Sequence, residues 1–322
     1  MKARPGKAAE AGLRSLTVTQ PRVAIGPYPN ASAEDAVRAA DGVPARPDSA
    51  ADALVWLAPR DAAGLRSALA ATGARWVQLS SAGIEPTAAA GLLDPDRVWT
   101  SAKGVFADQV AEHALMLALA GLRQLPERIT ARSWGKPGGD SLFDERVTIL
   151  GGGGITASLL QLLAPFRVRA TVVRRRSEPV PGAARTVSVA DLAAALPDAK
   201  VVILALALTP ETERIIGAEQ LAAMRADAWL VNVARGRHVD TDALVAALAT
   251  GSIAGAALDV TDPEPLPDGH PLWTQERCII TPHTADPAEL SDAEFARRIS
   301  ANVSRFAAGQ PLLGLVDPAA GY

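Results

Sequence analysis

The chain has 322 residues, 48% of them hydrophobic, which is enough apolar material for two ordinary hydrophobic cores. Its formal net charge is −3 and charges of one sign form no long run, so we expect no nucleic-acid binding through a basic face. A single cysteine, Cys278, excludes an internal disulfide, and no apolar run approaches the ~20 residues that cross a bilayer.

The first residues of the chain are basic and rich in small side chains, but they lack the apolar core of a signal peptide. We therefore predict a cytoplasmic protein without a membrane partner. Residues 1–13 are predicted to form a disordered extension.

Short β-branched or aliphatic runs alternate with Ala/Leu-rich segments, a pattern typical of βαβ units around parallel sheets. In the N-terminal part, the predicted strands are Arg22–Ile25, Ala53–Leu57 and Trp76–Leu79. A helix is predicted over Asp61–Ala71, which starts with a capping Asp, and a longer one over Ala107–Leu122.

From Arg146 onward the alternation of strands and helices is tighter. The predicted strands are Arg146–Leu150, Ala170–Val173, Val201–Leu206, Trp229–Val233, Ala256–Val260 and Cys278–Thr281. The segments Ile155–Leu163 and Ala288–Ala308 have helical composition. No repeat of 20–50 residues is visible, which argues against a solenoid.

A glycine-rich turn, GGGGIT from Gly151 to Thr156, follows the strand that starts at Arg146 and precedes a predicted helix. Glycines at such a turn let the backbone approach a pyrophosphate, whose charge is met by the helix N-terminus. We expect Gly151, Gly153, Gly154 and Ile155 to contact a dinucleotide. Thr156 takes the place of the third glycine, so a turn without a ligand is the alternative.

Three arginines, Arg174, Arg175 and Arg176, end the next strand, where an NAD site usually has an acid that binds the ribose hydroxyl. A carboxylate would repel a ribose 2′-phosphate, whereas guanidinium groups would pair with it. The pattern favours NADP over NAD, and a solvated basic loop is the alternative.

Three further segments place polar side chains at the carboxyl ends of predicted strands, where open α/β sheets bind ligands. They carry Arg235, Glu264 and His283. Each has an ordinary explanation when taken singly: a surface turn residue, a solvated loop acid, and a capping or buried histidine. Their common location favours a shared chemical role.

The other three histidines are given no catalytic role. His113 lies on the apolar Ala107–Leu122 helix and is predicted to be structural, at a domain or subunit contact. His238 and His270 lie in polar loops and are predicted to be solvated. The histidines show no metal-ligand spacing and one cysteine cannot build a zinc site, so no metal is expected.

In combination these motifs resemble the D-isomer-specific 2-hydroxyacid dehydrogenase family, which includes glyoxylate/hydroxypyruvate reductases and phosphoglycerate dehydrogenases. The similarity extends from about Arg22 to Gly314. Besides the glycine turn, it rests on Ser80–Gly83, Leu208–Thr212, Val231–Gly236, Asp259–Pro265 and Thr281–His283.

The resemblance implies an α/β fold of two Rossmann-like or flavodoxin-like domains, with parallel sheets, helices on both faces and a deep interdomain cleft. The nucleotide-binding domain would span residues 102–283. The discontinuous flavodoxin-like substrate domain would comprise residues 14–101 and 284–322. Family members usually pair, so a homodimer is expected.

The resemblance also implies roles for single residues. Arg235, Glu264 and His283 would form a catalytic triad. The backbone of Ala82 and Gly83 would face the substrate carboxylate.

Three more residues would contact the cofactor: Asp259 near the nicotinamide carboxamide, Thr209 in a loop beside the nucleotide, and Ala234 next to the triad arginine. Arg174 departs from the acid usual in the family, which affects the choice of NAD or NADP but not activity.

We therefore predict an NAD(P)-dependent, D-isomer-specific oxidoreductase that transfers a hydride between nicotinamide and C2 of a small 2-keto or 2-hydroxy acid. It is expected to act as a reductase with NADPH. One alternative is a nucleotide-sensing binding protein similar to the corepressors of the same fold. A methyltransferase is the other, because the glycine turn also suits S-adenosylmethionine, but the Arg174–Arg176 cluster counts against it.

Overall fold

Two parallel β-sheets organise the chain in the computed structural model, which describes residues 18–317. Each sheet belongs to one of two compact units. The first unit runs up to Phe106 and resumes at Ala288, and the second is Ala107–Pro287. The predicted extension of residues 1–13 lies outside the described residues. The assignment of one unit to the substrate and the other to the nucleotide remains a prediction.

The first unit contains a five-stranded parallel sheet with the order β2-β1-β3-β4-β5. Its strands are β1 (Arg22–Gly26), β2 (Val43–Ala45), β3 (Ala53–Trp56), β4 (Trp76–Leu79) and β5 (Val98–Thr100). Its helices are α1 (Ala31–Arg38), α2 (Ala62–Thr72), α3 (Glu85–Ala89) and the C-terminal helix Ala288–Ala307. The predicted capping role of Asp61 is confirmed, since its side chain accepts from the amide of Gly64 at 2.8 Å.

Both faces of this sheet are covered because successive side chains of a strand point to opposite sides. Val23 and Ile25 of β1 pack in a core with residues of α1 and the C-terminal helix. Ala24, between them, packs in a second core with Leu65 and Leu69 of α2. Each large apolar side chain buried in this way contributes about 1.5–3 kcal/mol.

The second unit contains a seven-stranded parallel sheet with the order β12-β11-β10-β9-β6-β7-β8. Its strands are β6 (Arg146–Leu150), β7 (Arg169–Arg174), β8 (Arg185–Ser188), β9 (Val201–Leu204), β10 (Trp229–Asn232), β11 (Gly255–Leu258) and β12 (Cys278–Ile280). Its helices are α4 (Ala107–Leu122), α5 (Leu125–Thr130), α6 (Gly154–Leu163), α7 (Leu192–Ala195), α8 (Ala218–Ala223) and α9 (Thr241–Thr250). The order switches direction between β6 and β9, where doubly wound sheets bind nucleotides.

Helix α4 packs against α6 and against strands β10 and β11. A Cβ atom on Gly121 would lie 2.4 Å from the ring of Trp229 on β10, so a glycine is needed for this close approach. The helix thereby brings His113 to the carboxyl end of β11.

At the opposite end of this sheet, the ammonium of Lys200 is buried between two carboxylates. Its Nζ lies 2.6 Å from Asp140 Oδ2 and 2.9 Å from Asp227 Oδ2, and Arg225 also pairs with Asp227 at 2.8 Å. The hydrogen bond from Arg225, followed by the contacts from Lys200, lowers the pKa of Asp227 to about 2 although burial opposes the shift. The network therefore holds Asp227 ionised in the folded state.

We expect the free energy of unfolding of Asp227→Asn to fall less between pH 5 and pH 2 than that of the wild type. The folded-state pKa of about 2 lies below the ordinary value of 3.8, so this carboxylate contributes stability that is present above pH 3.8 and is lost as the pH falls towards 2. Urea unfolding at several pH values between 5 and 2 measures the slope of the free energy of unfolding against pH. Glu178→Gln, in an exposed ion pair, is the control. Identical slopes for wild type and Asp227→Asn would contradict the prediction.

Candidate active site

The glycine turn connects β6 to α6, and its backbone requires glycine. Gly151 has φ +113°, and a Cβ atom there would lie 2.1 Å from the carbonyl oxygen of Ala205, which follows β9. Gly153 caps α6 without any side-chain hydrogen bond, and a Cβ atom on it would meet nothing within 4 Å. The turn is closely packed on the β9 side and open at the helix N-terminus, a geometry that fits a nucleotide pyrophosphate.

Thr156, the departure from the usual glycine pattern, is buried and points back into the turn. Its hydroxyl donates to the carbonyl oxygen of Gly151 at 2.9 Å. The threonine therefore ties the first turn of α6 to the glycine at φ +113°, and it does not extend into the space beside Gly153. This contact explains how the chain accommodates a larger residue at this position.

The basic cluster at the end of β7 contains three arginines in different surroundings. The side chain of Arg174 lies over the turn, because its Cδ and Nε would be 3.0 and 3.2 Å from a Cβ atom on Gly152. Arg175 and Arg176 are exposed, and Arg176 lies 3.6 Å from Glu178. Among the described residues Arg174 pairs with no carboxylate, so it is the arginine best placed beside the glycine turn.

A loop after β9 carries the predicted cofactor residue Thr209. Its amide donates to the hydroxyl of Thr212 at 2.8 Å, and that hydroxyl donates to the carbonyl oxygen of Ala207 at 2.8 Å. A hydrogen bond with Thr209, followed by smaller effects that include the charge of Arg175, lowers the pKa of Glu211. The loop is thus held in shape by its own threonines.

Arg235 follows β10 at the carboxyl end of the sheet. Asn232, the last residue of that strand, binds both sides of the bend: its side chain donates to the Arg235 carbonyl oxygen at 2.9 Å and accepts from the Ala234 amide at 3.0 Å. The guanidinium Nη1 donates to the carbonyl oxygen of Ala234 at 2.7 Å. Ala234 thus shapes the backbone next to Arg235, and its predicted cofactor contact stays a prediction.

His238 is fully buried, so the prediction of a solvated histidine is wrong. Its Nδ1 lies 3.2 Å from the Arg235 amide nitrogen and 3.1 Å from the Arg235 carbonyl oxygen, and its Nε2 lies 3.3 Å from the carbonyl oxygen of Ala207. The ring therefore links the backbone of Arg235 to the loop that carries Thr209. A polar loop in the sequence gave no signal of this burial.

His283 and Glu264 form a close pair beyond β12. His283 Nδ1 lies 2.8 Å from Glu264 Oε1, and both side chains are about one-third exposed. His283 has φ +50°, a left-handed conformation that is uncommon outside glycine. The structure therefore brings together two of the three predicted triad residues in direct contact.

Asp259, at the end of β11, has a carboxylate that is almost completely buried. It accepts from the Thr281 hydroxyl at 2.6 Å and from the amides of Thr284 and Ala285 at 2.9 and 3.1 Å. Burial acts to raise the pKa of Asp259, but the hydrogen bonds, that from His113 first, outweigh it and lower the pKa. The contacts described for Asp259 are with neighbouring protein groups, and its predicted contact with the nicotinamide carboxamide stays a prediction.

Asp286 is an acidic residue in this region that the sequence analysis did not single out. Burial raises its pKa, while the charges of His283 and then Arg235 act in the opposite direction. Because Asp286 interacts electrostatically with both, Arg235 and His283 share one neighbourhood at the carboxyl end of the sheet. The sequence predicts this common location, since both residues follow strands of one parallel sheet.

Ala82 and Gly83 lie in the first unit, in the bend after β4. The Ser81 hydroxyl donates to the carbonyl oxygen of Gly83 at 2.6 Å, which closes the bend. Their predicted role, binding of the substrate carboxylate through the backbone, stays a prediction.

Two further observations concern a cysteine nucleophile, a metal site and a membrane span. Burial raises the pKa of the Cys278 thiol to about 12, so it is not a thiolate nucleophile. Within residues 18–317, no group of three His, Cys, Asp or Glu side chains could hold a metal ion, and no helix has the length and apolar character to span a membrane.

A doubly wound parallel sheet with a glycine turn at its switch point is the architecture of a dinucleotide-dependent oxidoreductase. Residues 113–285, more than half of the chain, match the family model described as D-isomer specific 2-hydroxyacid dehydrogenase, NAD binding domain. The chain belongs to this family, and its cofactor is a nicotinamide dinucleotide.

The chain is also similar to individual proteins. The chain is 42% identical over 254 residues to an uncharacterized protein in the proB 3′ region of Corynebacterium melassecola, a match that covers 77% of this chain and 84% of that protein. It is similar, at 27% identity and TM-score 0.79, to a D-isomer specific 2-hydroxyacid dehydrogenase from Xanthobacter autotrophicus Py2 solved with NADPH and MES, covering 94% of this chain and 100% of that one.

A family member from Aeromonas salmonicida has 28% identity and TM-score 0.80, with 93% of this chain and 99% of that chain covered. The predicted fold class, two parallel-sheet α/β domains, is confirmed by the sheets and by these matches. The protein is therefore an NAD(P)-dependent oxidoreductase of the 2-hydroxyacid dehydrogenase type.

Proposed function

We propose that the protein reduces a small 2-keto acid to the D-2-hydroxy acid with NADPH as the hydride donor. The observation that carries the proposal is the 2.8 Å contact between His283 Nδ1 and Glu264 Oε1. With Nδ1 bound to the carboxylate, the Nε2 atom of the ring is the proton donor for a substrate oxygen.

In this mechanism Arg235 binds the substrate carboxylate and polarises the C2 carbonyl through charge-assisted hydrogen bonds. When bound beside the substrate, NADPH would supply the hydride that C2 accepts. His283 donates a proton to the oxygen that becomes negative, and removes it again in the reverse direction. Glu264 orients the His283 ring through the hydrogen bond at Nδ1. Ala82 and Gly83 would complete the substrate site through their amides.

The preference for NADPH rests on Arg174. Its side chain lies over the turn at Gly152, and no carboxylate among the described residues neutralises it. A guanidinium there would pair with a ribose 2′-phosphate, which NADH lacks. The NADPH bound to the Xanthobacter autotrophicus relative supports the same choice.

We expect Arg174→Asp to weaken NADPH binding about 10–100-fold, since a hydrogen-bonded charge pair is worth about 1.5–3 kcal/mol. Binding of NADH should change much less. Calorimetric titration with both nucleotides measures the difference. Arg46→Asp, in the exposed pair with Asp48 of the first unit, is the charge-matched control and should change neither affinity by more than a few-fold. Equal losses for both nucleotides in Arg174→Asp would remove the proposed phosphate contact.

The substrate class is tested by NADPH oxidation with glyoxylate, hydroxypyruvate, pyruvate and bulkier 2-keto acids, with NADH in parallel. We expect turnover of at least one small 2-keto acid and formation of the D-hydroxy acid, identified by chiral chromatography. Tight NADPH binding without turnover of any of them would contradict the proposed reaction and favour the nucleotide-sensing alternative.

We also propose that the protein forms a homodimer. Ile129 on α5 is 70% exposed and Trp134 in the following loop is 98% exposed, and a second copy could cover these two large apolar side chains. Sedimentation velocity at micromolar concentration tests this proposal, and a single monomeric species would contradict it. The predicted cytoplasmic location remains a prediction.

A further inference from the structure

His113 lies on α4 with its ring turned towards the segment that carries His283. Its Nε2 atom is 3.1 Å from the Thr281 hydroxyl oxygen and 3.3 Å from Asp259 Oδ1, and only 14% of the side chain is exposed. The two hydrogen-bonding partners lie 168 and 146 residues further along the chain. The histidine is therefore part of a buried polar group at the carboxyl ends of β11 and β12.

The direction of each hydrogen bond in this group can be assigned. The Thr281 hydroxyl has one proton, which it donates to Asp259 Oδ1 at 2.6 Å because an ionised carboxylate only accepts. The Thr281 oxygen can then only accept from His113. The ring proton of His113 is therefore on Nε2, shared between the threonine oxygen and the carboxylate.

Asp259 accepts hydrogen bonds from residues before and after His283 in the chain. Its main-chain carbonyl oxygen accepts from the His283 amide at 2.8 Å, and its carboxylate accepts from the amides of Thr284 and Ala285. The enclosed residue, His283, has φ +50°. A left-handed conformation at a non-glycine residue is disfavoured and persists only where neighbouring contacts fix it.

We propose that His113 is a positioning residue for the reaction. By donating from Nε2 to Thr281 and Asp259, it fixes the turn at His283 so that the His283 ring meets Glu264 and the substrate oxygen. This inference rests on the proposed function, in which His283 is the proton donor. His113 itself does not touch the substrate or the cofactor in this role.

The first test compares His113→Leu with His113→Gln. Leucine fills similar space without a donor, whereas the glutamine amide can donate from nearly the position of Nε2. A displacement of a reacting group by about 1 Å can cost about 100-fold in rate, so we expect kcat of His113→Leu to fall about 10–100-fold with little change in KM. His113→Gln should restore most of kcat.

His270→Gln is the matched control, because its ring contacts only the nearby Leu272 amide among the atoms described, and its activity should equal that of wild type. Equal kcat losses in His113→Leu and His113→Gln, or a change confined to KM, would overturn the proposal. Should His113→Leu fail to fold, Thr281→Val and Thr281→Ser provide the same comparison, and the serine variant should again be the more active.

A second measurement does not depend on turnover. The chain has four histidines, so the ring Cε1–H region of an NMR spectrum contains four signals that single substitutions can assign. We expect the His283 signal to shift in His113→Leu and to stay near its wild-type position in His113→Gln and His270→Gln. An unmoved His283 signal in His113→Leu would overturn the inference even where activity is present. Failure of every substrate would instead count against the proposed function and leave this measurement intact.

Discussion

His283→Ala is expected to lower kcat about 10²–10⁴-fold, the range that general acid catalysis contributes. The ring lies 2.8 Å from Glu264 Oε1, and alanine leaves no group that could deliver a proton from this position. NADPH affinity should stay within a few-fold of wild type, because the glycine turn and Arg174 are untouched. Steady-state kinetics of 2-keto acid reduction, with a parallel NADPH titration, measures both quantities.

Glu264→Gln separates orientation from charge in the same pair. The glutamine oxygen can still accept from His283 Nδ1, but the stronger hydrogen bond that the charged carboxylate makes is gone. We expect kcat to fall about 10-fold, less than in His283→Ala, because a hydrogen bond to a charged group is worth about 1–1.5 kcal/mol more than a neutral one. Near-wild-type kcat in His283→Ala would refute the proton-donor role, and an unchanged kcat in Glu264→Gln would refute the coupling of the pair.

The sequence predicted nine strands of the two sheets correctly in type, and it missed β2, β5 and β8. All three lie at sheet edges, as the strand orders show. Edge strands have one neighbour, are short and carry more exposed side chains, so their hydrophobic pattern is weak. The central strands, buried on both faces, have continuous apolar runs, which predict buried strands.

In the candidate site, too, some contacts can be predicted from the sequence and others depend on tertiary packing. Arg235 and His283 each follow a parallel strand, and parallel strands end at one edge of a sheet, so their common neighbourhood was predictable. The contact of His113 with Thr281 was not, because the two residues are 168 positions apart and meet through the packing of α4 on the sheet.

His238 and Thr156 illustrate a second limit. Both side chains are buried and bind the backbone. The Arg235 amide donates to His238, and Thr156 donates to the carbonyl oxygen of Gly151. The composition of a loop does not predict such bonds. Polar residues in a glycine-rich or charged loop resemble solvated ones until the backbone partners are known. The departures from a family pattern are therefore interpretable only with the structure.

The second large effect is expected from Gly151→Ala. A methyl group would lie 2.1 Å from the carbonyl oxygen of Ala205, and φ is +113°. The unfavourable backbone conformation and the overpacking together cost roughly 2–6 kcal/mol, and the turn must move away from β9 to relieve them. We expect a lower Tm and loss of the increase in Tm that NADPH gives the wild type.

Gly153→Ala is the matched control for that experiment, because the two glycines differ in what a methyl group would meet. At Gly153 φ is −94° and the methyl group would have no neighbour within 4 Å, so Tm without nucleotide should stay close to wild type. The methyl group would nevertheless occupy the open space at the start of α6, where a pyrophosphate is expected, and should reduce the increase in Tm caused by NADPH. A full NADPH effect in Gly153→Ala would show that the nucleotide does not bind at this helix N-terminus, and a stable, fully responsive Gly151→Ala would contradict the steric argument for the turn.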